Sequence, residues 1–579
     1  MSQRPRPQGE AEAQPFAVPK VLTVVPLLAI LGMQVVLSAR LLGISAASGD
    51  ESLYIYAGHQ EIYELFHGGG SPYYEDWFSG SPVIYPVLAA MADHIGGLML
   101  VREMSMAFML TATALLYATT RRLFGYWPAV TAAGLFTALG ITQGVGALAT
   151  YDAMALALMA FGAYCAVRAA SAGARWLLIV PLALLAANAT SYPTALFDPV
   201  VIMLAALTLP GASWRRMLQR AASLTAAVVT ALAVTAALAG TAYIHGAAFT
   251  TFSRSGGQAG AVFGWPVATP LRIAQLSWSA LGLIVCLGFA ALAVAPLLER
   301  RRPLLPLLRL LALLAVAGTL VTIVNMRISS PISVAKHDDF GAWFSCIAAG
   351  YALGRAAELA RAWHWKVPVI AMSLAAAVFG GAMYADQANV TNGITSATLS
   401  VHPRQEQASM AAKMRTFSDL KPYLQLGPKG RYLITGQVNT LLIYDEHLNV
   451  HWWQYTNDSY IKYPVPGLGG NAAGTSEGVY MHGAPGYSAA VRAHWFTLIS
   501  LIDNYHNAND AAILAAVRST PGYVLLTTQG GAPTYIWAPD YPAWERAHSS
   551  RCCARPSPAR QRASDPRHRP PPARPPAGN

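Results

Sequence analysis

The sequence predicts a polytopic α-helical membrane protein with a soluble α/β domain towards its C-terminus. Composition is the first observation: of 579 residues, 54% are hydrophobic and only 12% are charged, whereas soluble domains carry roughly 25% charged residues. The second is a series of apolar runs near the roughly 20 residues that a helix needs to cross a bilayer. A third is the alternation of basic and acidic loops between these runs, which is typical of multi-pass membrane proteins.

The apolar runs predict about eleven transmembrane helices. They lie at 21–39, 98–119, 126–149, 153–170, 175–188, 197–209, 221–243, 273–296, 307–326, 340–356 and 367–385. The fifth and sixth runs are short, so the count could change by about one or two. The first run is too long for the apolar region of a usual signal peptide, which favours an uncleaved first span.

Basic residues fall in every second loop, and acidic residues fall in the loops between them. The basic loops include 121–122, 215–220 and 300–302, which the positive-inside rule places in the cytoplasm. This rule explains the net charge of +12 and excludes nucleic acid as the expected partner. We therefore expect a plasma-membrane protein with a cytoplasmic N-terminus and an extracytoplasmic C-terminal domain.

Four segments are predicted along the chain. Residues 1–20 are expected to be a disordered cytoplasmic N-terminus, and residues 21–385 the membrane module, with a large first outer loop at 43–97. Residues 386–548 are expected to form the soluble domain. Residues 549–579 are dominated by Arg and Pro with few large apolar residues, which predicts a disordered tail.

The soluble segment contains two apolar stretches typical of buried strands, at 431–435 and 522–528. Residues 510–518 lie between them and favour a helix. None of the five cysteines lies between 386 and 548, so no disulfide framework is expected there.

An acidic pair follows the first span almost at once, in the stretch 48–59. Ser48 and Asp50 are good helix N-caps, and apolar residues recur at helical spacing until His67. We therefore expect a short amphipathic helix on the bilayer surface. Its start would hold Asp50 and Glu51 where a partly desolvated carboxylate can act as a base. Alternatively, both acids merely favour a helix N-terminus through the macrodipole.

Two further charged positions lie at the same predicted membrane face. Asp152 opens the fourth span, where an acid is costly unless it caps the helix or faces a water-filled cavity. The run Lys336-His337-Asp338-Asp339 directly precedes the span at 340–356. The helix dipole explains the aspartate pair but not the lysine. Either a lipid-linked phosphate or lipid headgroups would explain Lys336.

The first outer loop is rich in aromatic residues, among them Tyr54, Trp77 and Tyr85. Rings at this density suit an interfacial belt, and they also suit stacking on sugars. A second short helix is predicted at 83–97, directly before Arg102 opens the second span.

The order of these features resembles the GT-C superfamily of membrane glycosyltransferases. Within it, the chain resembles the protein O-mannosyltransferase and aminoarabinose transferase family, glycosyltransferase family 39. The matching stretches are Asp50-Glu51-Ser52-Leu53-Tyr54, Tyr151-Asp152-Ala153 and Lys336-His337-Asp338-Asp339-Phe340. The outer domain is similar to that of actinobacterial relatives through 431–433, 453–457, 494–496 and 535–537. One departure is that residues 81–86 lack the lysine of the aminoarabinose transferases' Lys-Pro-Pro stretch.

The resemblance implies an inverting transfer, in cell-envelope glycosylation, from a polyprenyl-phosphate-linked sugar to a glycan, lipid or protein acceptor on the outer face. Asp50 would be the general base. Glu51 and Asp152 would orient it or bind a divalent cation such as Mg or Mn. The departing phosphate would be held by Arg102, Lys336 and His337. The sugar or acceptor would be contacted by Tyr54, Trp77 and Tyr85.

Two other classes of function stay open from the sequence. A transporter or flippase of a lipid-linked glycan would also be polytopic, but it would need ionisable residues near the bilayer midplane. Apart from Asp198 near the edge of a span, the charges lie at span ends, which argues against this class. A membrane protein that binds a wall polymer without catalysis is the third class, and it predicts no loss of function when Asp50 is changed.

Overall fold

The computed structural model describes two parts of the chain. In the first part it covers residues 20–42, 49–67, 74, 78–209, 211, 213–248, 268–299, 303–329 and 334–362. In the second part it covers 430–434, 455–456, 461, 463–465, 480–481, 483–501, 508–526 and 534–538. The predicted span at 367–385 and both predicted disordered termini, except for Lys20, lie outside the described residues.

The first part of the chain is helical. Its helices are α1 (Lys20–Leu42), α2 (Gly49–His67), α3 (Tyr85–Phe124), α4 (Tyr126–Ala138), α5 (Gly140–Val145), α6 (Asp152–Ala172), α7 (Ile179–Thr190), α8 (Asp198–Leu207), α9 (Trp214–Ala248), α10 (Pro270–Leu298), α11 (Leu304–Ala317), α12 (Leu320–Ile328) and α13 (Val334–Ala362). Among the described residues, five helices are long and apolar enough to cross a membrane, or six if the bent pair α11 and α12 is one span. The predicted multi-pass helical architecture is confirmed, and the count of about eleven stays a prediction.

The long helix α3 contains the predicted junction between a loop helix and the second span. Gly96 and Gly97 have non-helical dihedral angles, with Gly97 at φ 66° and ψ −168°. A positive φ at this position favours glycine, because a Cβ atom would be strained there. The short helix predicted to end near residue 97 and the span predicted to begin at 98 are therefore both present, joined by a kink.

Two predicted spans are broken rather than continuous. The run at 126–149 divides at Leu139, whose backbone is extended, into α4 and the short α5. The run at 307–326 divides into α11 and α12 with a bend of 40°. A Cβ atom on Gly318, at that bend, would lie 1.9 Å from the Ser345 hydroxyl. The missing side chain lets α13 pack directly against the break.

The helical core is built from small residues and a few large rings. Alanines on α4, α6 and α13 are fully buried, which lets the helix backbones approach closely, as is common in membrane bundles. Trp343 is also fully buried, and its indole N–H donates to the carbonyl of Ala112 at 3.0 Å. This hydrogen bond satisfies the polar end of the largest buried ring.

Loops that the sequence assigns to the outer side contact one another. The backbone N–H of Ser81 donates to the carbonyl of Ala189 at 2.6 Å, and that of Tyr192 donates to the carbonyl of Ser79 at 2.7 Å. The first outer loop and the loop between α7 and α8 therefore lie at the same end of the bundle. Which membrane face this end occupies stays a prediction from the charge pattern.

The chain divides into two compact units, and the second comprises Ala411–Asn439 with Asn449–Asn579. Its strands are β1 (Tyr432–Ile434), β2 (Tyr455–Thr456), β3 (Tyr463–Pro464), β4 (Tyr480–Met481), β5 (Leu498–Ser500), β6 (Tyr523–Leu526) and β7 (Thr534–Trp537). Helices α14 (Gly483–Arg492) and α15 (Ala508–Ser519) lie between strands in the sequence. The predicted strands at 431–435 and 522–528 and the predicted helix at 510–518 are confirmed. The predicted domain boundaries at 386 and 548 stay predictions.

Five strands of this unit form a mixed sheet in the order β2-β1-β5-β7-β6. β1 is parallel to β2 and β5, whereas β7 is antiparallel to β5 and β6. Leu433 and Ile499, on neighbouring strands, join a buried cluster with Tyr487 of α14 and Val517 of α15. The helices thus pack on one face of the sheet, as expected for an α/β unit.

Candidate active site

Helix α2 carries the acidic pair in its first turn, where the sequence predicts it. The helix runs from Gly49 to His67, which confirms the predicted bounds. Ile55 in its first half is fully buried, while Leu65 and Phe66 near its end are exposed. The start of the helix is therefore packed into the protein, and its end presents apolar side chains that suit a bilayer surface.

Asp50 and Lys336 form an ion pair. Lys336 Nζ lies 2.7 Å from Asp50 Oδ2, although the residues are 286 positions apart. The Asp50 side chain is 43% exposed and the Lys336 side chain 24% exposed. The two residues predicted to be the base and a phosphate ligand are therefore in direct contact at an accessible position.

Asp152 and His337 form a second, fully enclosed pair beside the first. His337 Nε2 lies 3.5 Å from Asp152 Oδ1, and neither carboxylate oxygen has a hydrogen-bond partner among the described residues. A buried carboxylate is costly without a cation or a donor close to it. His337 and the positive charge of Lys336 both stabilise the ionised form of the Asp152 carboxyl. Lys336 and His337, which are consecutive in α13, thus pair with two different carboxylates, Asp50 and Asp152.

Glu51 and Arg102 form a third pair, which is almost fully buried. Arg102 Nε and Nη2 donate to the two Glu51 oxygens at 2.7 and 2.8 Å. The backbone N–H of Ala149 donates to Glu51 Oε1 at 2.8 Å, and Arg102 Nη1 donates to the carbonyl of Leu42. This network ties together α1, α2, α3 and the segment before α6. The predicted phosphate contact of Arg102 would require the guanidinium to leave Glu51.

The rings of Tyr54 and Tyr85 lie inside an aromatic cluster. The Tyr54 ring is 5.0 Å from Phe78, 6.4 Å from Tyr85 and 4.8 Å from Tyr151, between ring centroids. Burial, reinforced by Tyr151 and Asp50, raises the pKa of the Tyr54 phenol well above its ordinary value, so the phenol stays neutral. Both Tyr54 and Tyr85 contact protein here, and their predicted sugar contact would require the cluster to open. Trp77 lies outside the described residues.

Asp338 and Asp339 have partners that sequence reasoning missed. Ser277 Oγ donates to Asp338 Oδ2 at 2.6 Å, and Thr142 Oγ1 donates to Asp339 Oδ1 at 2.7 Å. Helix α13 has no acidic residue in its first turn, so the interpretation through the helix dipole is wrong. Thr142 and Ser277 are hydroxyl residues inside apolar runs, and this is the sequence feature that could have indicated polar partners for the two aspartates. Their separation from α13 in the sequence hides the contact.

Each predicted metal-binding carboxylate faces a cationic or ionisable side chain instead of another carboxylate. Asp50 faces Lys336, Glu51 faces Arg102, and Asp152 faces His337. In the part of the chain that the structure describes, no group of three or more His, Cys, Asp or Glu residues is arranged to hold a metal. A divalent cation therefore stays a hypothesis, and the chemistry of the three pairs can be derived without one.

A family model matches one segment within the first half of this chain. Residues 82–239 match the family described as dolichyl-phosphate-mannose-protein mannosyltransferase. This match includes α3, with Arg102, and the start of α6, with Asp152. No curated protein matches the chain.

Solved membrane-protein structures share the fold over most of their length. ArnT from Cupriavidus metallidurans bound to undecaprenyl phosphate superposes with a TM-score of 0.52 at 13% identity, covering 89% of this chain and 99% of that one. The apo form of ArnT gives a TM-score of 0.52 at 14% identity, covering 90% and 98%. The Archaeoglobus fulgidus oligosaccharyltransferase in its apo form gives 0.51 at 13% identity, covering 90% and 75%. The predicted resemblance to the GT-C superfamily is confirmed at the level of the fold, and the actinobacterial type stays a prediction.

Proposed function

We propose that this chain, which has the fold of the GT-C membrane glycosyltransferases, transfers a sugar from a polyprenyl-phosphate-linked donor to an acceptor, with inversion. The observation that carries the proposal is the Asp50–Lys336 pair at 2.7 Å. It brings a carboxylate that can accept a proton next to a cation that can hold a phosphate. Both side chains stay partly accessible.

Asp50 is the best candidate for the base, because Glu51 and Asp152 at the same end of the bundle are buried beside other side chains. Glu51 accepts two hydrogen bonds from Arg102 and one from the backbone. Asp152 is enclosed beside His337. Asp50 is much the most exposed of these three carboxylates, so an acceptor hydroxyl can reach it. This geometry meets the first requirement of a general base.

In the proposed reaction, the acceptor oxygen attacks the anomeric carbon from the side opposite the lipid phosphate. Its proton passes to Asp50 as the new carbon–oxygen bond forms. The bond between the anomeric carbon and the phosphate oxygen breaks, and its electron pair stays on the lipid phosphate. One displacement of this kind inverts the anomeric centre.

Lys336 has to exchange partners during this reaction. In the structure its ammonium lies on Asp50, where it neutralises the base. A donor phosphate entering the site competes for the ammonium and frees Asp50 for the acceptor. The same contact then stabilises the charge that develops on the leaving phosphate. His337, which is next in the chain, is enclosed beside Asp152 and would have to leave it to add a second donor.

A lipid-linked donor is supported by two observations. The matching family model is described by a dolichyl-phosphate-mannose donor, and one neighbour in fold binds undecaprenyl phosphate. The site also lies at one end of apolar helices, where the phosphate of a membrane lipid is expected. Hexose and pentose donors, and glycan, lipid and peptide acceptors, all fit this proposal.

A transfer assay tests the proposed function. Membranes that contain the protein are incubated with a panel of radiolabelled polyprenyl-phosphate hexoses and pentoses, and the label is followed by extraction. Transfer predicts that one label leaves the polyprenyl phosphate and appears on a different molecule, only when the protein is present. A flippase would move the lipid between leaflets and leave the label on it, and that result would replace the proposal.

The Lys336→Ala variant is expected to bind the donor more weakly and to turn over more slowly. Losing a hydrogen bond to a charged group costs about 1.5–3 kcal/mol, or roughly tenfold to a hundredfold in affinity. Turnover falls as well, because the contact strengthens as the phosphate gains charge. Lys336→Arg should restore only part of both, since a planar guanidinium does not replace a compact ammonium. Donor affinity and initial rates in neutral detergent measure this.

Arg272→Ala is the matched control for the lysine variant, because Arg272 is an exposed cation at the start of α10. It should leave donor affinity and rate unchanged. Full activity of Lys336→Ala in neutral detergent would remove this lysine from the site. A lysine that binds headgroups would instead respond to the content of anionic lipid and would be restored by arginine.

A further inference from the structure

The motifs that the sequence singles out in the second unit meet at one end of its sheet. Three of them, at 431–433, 494–496 and 535–537, are far apart in the sequence. The proposed transfer reaction uses none of them. Arg431 directly precedes β1, Trp537 ends β7, and Tyr523 begins β6. His494 and Trp495 lie in the short segment between α14 and β5.

Strand register and backbone hydrogen bonds place three of these residues in one row across the sheet, with Thr497 between Trp537 and Arg431. Tyr523 of β6 pairs with Trp537 of β7. The Trp537 N–H donates to the carbonyl of Thr497 at 3.0 Å, and the Thr497 N–H donates to the carbonyl of Arg431 at 2.7 Å. Neighbouring residues in register point to the same face of a sheet. We call Arg431, His494, Trp495, Tyr523 and Trp537 together the aromatic row.

The side chains of the aromatic row contact one another in two groups. The His494 ring lies 5.1 Å from Trp537, with 28° between the ring planes, and 5.8 Å from Tyr523. The Arg431 guanidinium lies 3.5 Å from the centre of a Trp495 ring. His494 takes the positive φ of 53° that lets the chain turn back into β5. Rings and a guanidinium plane thus lie side by side at one end of the sheet.

The row also keeps accessible surface and free hydrogen-bonding capacity. Trp537 is 37% exposed, and His494, Trp495, Tyr523 and Arg431 are all partly exposed. Among the described residues the Arg431 guanidinium has a ring contact and no hydrogen-bond acceptor. Trp495 and Tyr523 pack with one side against the core cluster of the unit, and the Tyr523 hydroxyl donates to the carbonyl of Phe496 at 2.8 Å. Unlike the fully buried Phe496 and Tyr487, they keep part of their surface accessible.

We propose that the aromatic row binds a saccharide of the acceptor. A pyranose or furanose unit has an apolar C–H face that packs on an aromatic ring and a rim of hydroxyls that accept from planar N–H donors. Trp537 offers the ring, and Arg431 and His494 offer the donors. The inference rests on the proposed function in one respect: it makes the acceptor a glycan rather than a lipid or a peptide.

Binding can be measured apart from transfer. The full-length protein in detergent is applied, without any lipid donor, to an array of immobilised mannose, glucose, galactose and arabinose oligosaccharides. We expect binding to at least one of these oligosaccharides. Trp537→Ala should weaken it about tenfold or more, since an exposed tryptophan at the centre of a contact carries much of its energy. Arg431→Gln should also weaken it.

Leu525→Ala is the matched control, because Leu525 is a large exposed apolar residue on β6 of the same sheet. It should bind as wild type. If Trp537→Ala does not fold, Trp537→Leu keeps an apolar side chain, removes the flat ring and gives the same test. The proposal is overturned if no oligosaccharide binds, or if a folded Trp537 variant binds like wild type.

The Asp50→Asn variant separates this proposal from the proposed function. It should bind the array as well as wild type does, because Asp50 lies in the other unit. An Asp50→Asn protein that still transfers sugar would contradict the catalytic proposal and leave the array result unaffected. A wild-type protein that transfers sugar but binds no oligosaccharide would contradict only the aromatic row.

Discussion

Asp50→Asn is expected to abolish sugar transfer while leaving expression and donor binding close to wild type. Asparagine has nearly the shape of aspartate and can still accept a hydrogen bond from Lys336, which lies 2.7 Å away. It cannot take a proton from an acceptor hydroxyl. Loss of a general base typically lowers a rate about 100- to 10,000-fold. The rate of label transfer at saturating donor measures the effect.

Glu64→Gln provides the matched control for this prediction. Glu64 lies on the same helix α2, and the substitution makes the same change from acid to amide. It should leave the rate unaltered. Asp50→Asn activity within a few-fold of wild type would return Asp50 to a role in helix capping, and the catalytic proposal would then fail.

Arg102→Met is expected to have the second-largest effect, on the stability of the fold. It removes the cation from Glu51, which is fully buried. Breaking a buried ion pair from one side costs about 3–5 kcal/mol, because an uncompensated charge stays inside. We therefore expect a large fall in the unfolding temperature in detergent, with transfer lost as a consequence.

The double variant Glu51→Gln with Arg102→Met tests the cause of that fall. Removing both charges takes away the uncompensated group, so much of the stability should return. His59→Gln is the comparison, since His59 forms a more accessible pair with Asp93 at 2.7 Å, with side-chain exposures of 42% and 7%. Its effect should be no more than about 1 kcal/mol. A stable Arg102→Met protein that has lost donor affinity would instead support the phosphate contact predicted from the sequence.

The sequence predicts the helical membrane fold because apolar runs and caps are local signals. The bounds of α2 follow from capping residues and apolar spacing, and the junction in α3 follows from the start of the second apolar run at residue 98. The breaks at Leu139 and Gly318 are not predicted. Apolar residues continue through both positions, so the hydropathy profile does not change where the helix is interrupted. The same limit applies to Ser345, whose close approach to Gly318 depends on tertiary packing.

The sequence singles out the residues of the candidate site but does not predict how they pair. Asp50, Lys336 and Asp152 are singled out because charges at the ends of apolar helices are costly and therefore informative. That Lys336 meets Asp50 does not follow from the sequence, since no local pattern links positions 286 residues apart. The sequence suggests a phosphate as the partner of Arg102, because the ion pair with Glu51 forms only when two helices pack together.

The distance along the chain between Asp50 and Lys336 has a consequence for biosynthesis. A chain grows at about 5–20 residues per second, so the separation of 286 positions from Asp50 to Lys336 takes roughly 15–60 s to synthesise. During this interval α2 has already left the ribosome, but Lys336 has not yet been synthesised, so Asp50 cannot form its ion pair. The pair can form only when α13 joins the bundle. A nascent or truncated chain that ends before α13 therefore carries the proposed base without the lysine proposed to bind the phosphate. The proposed activity can arise only after α13 has been inserted.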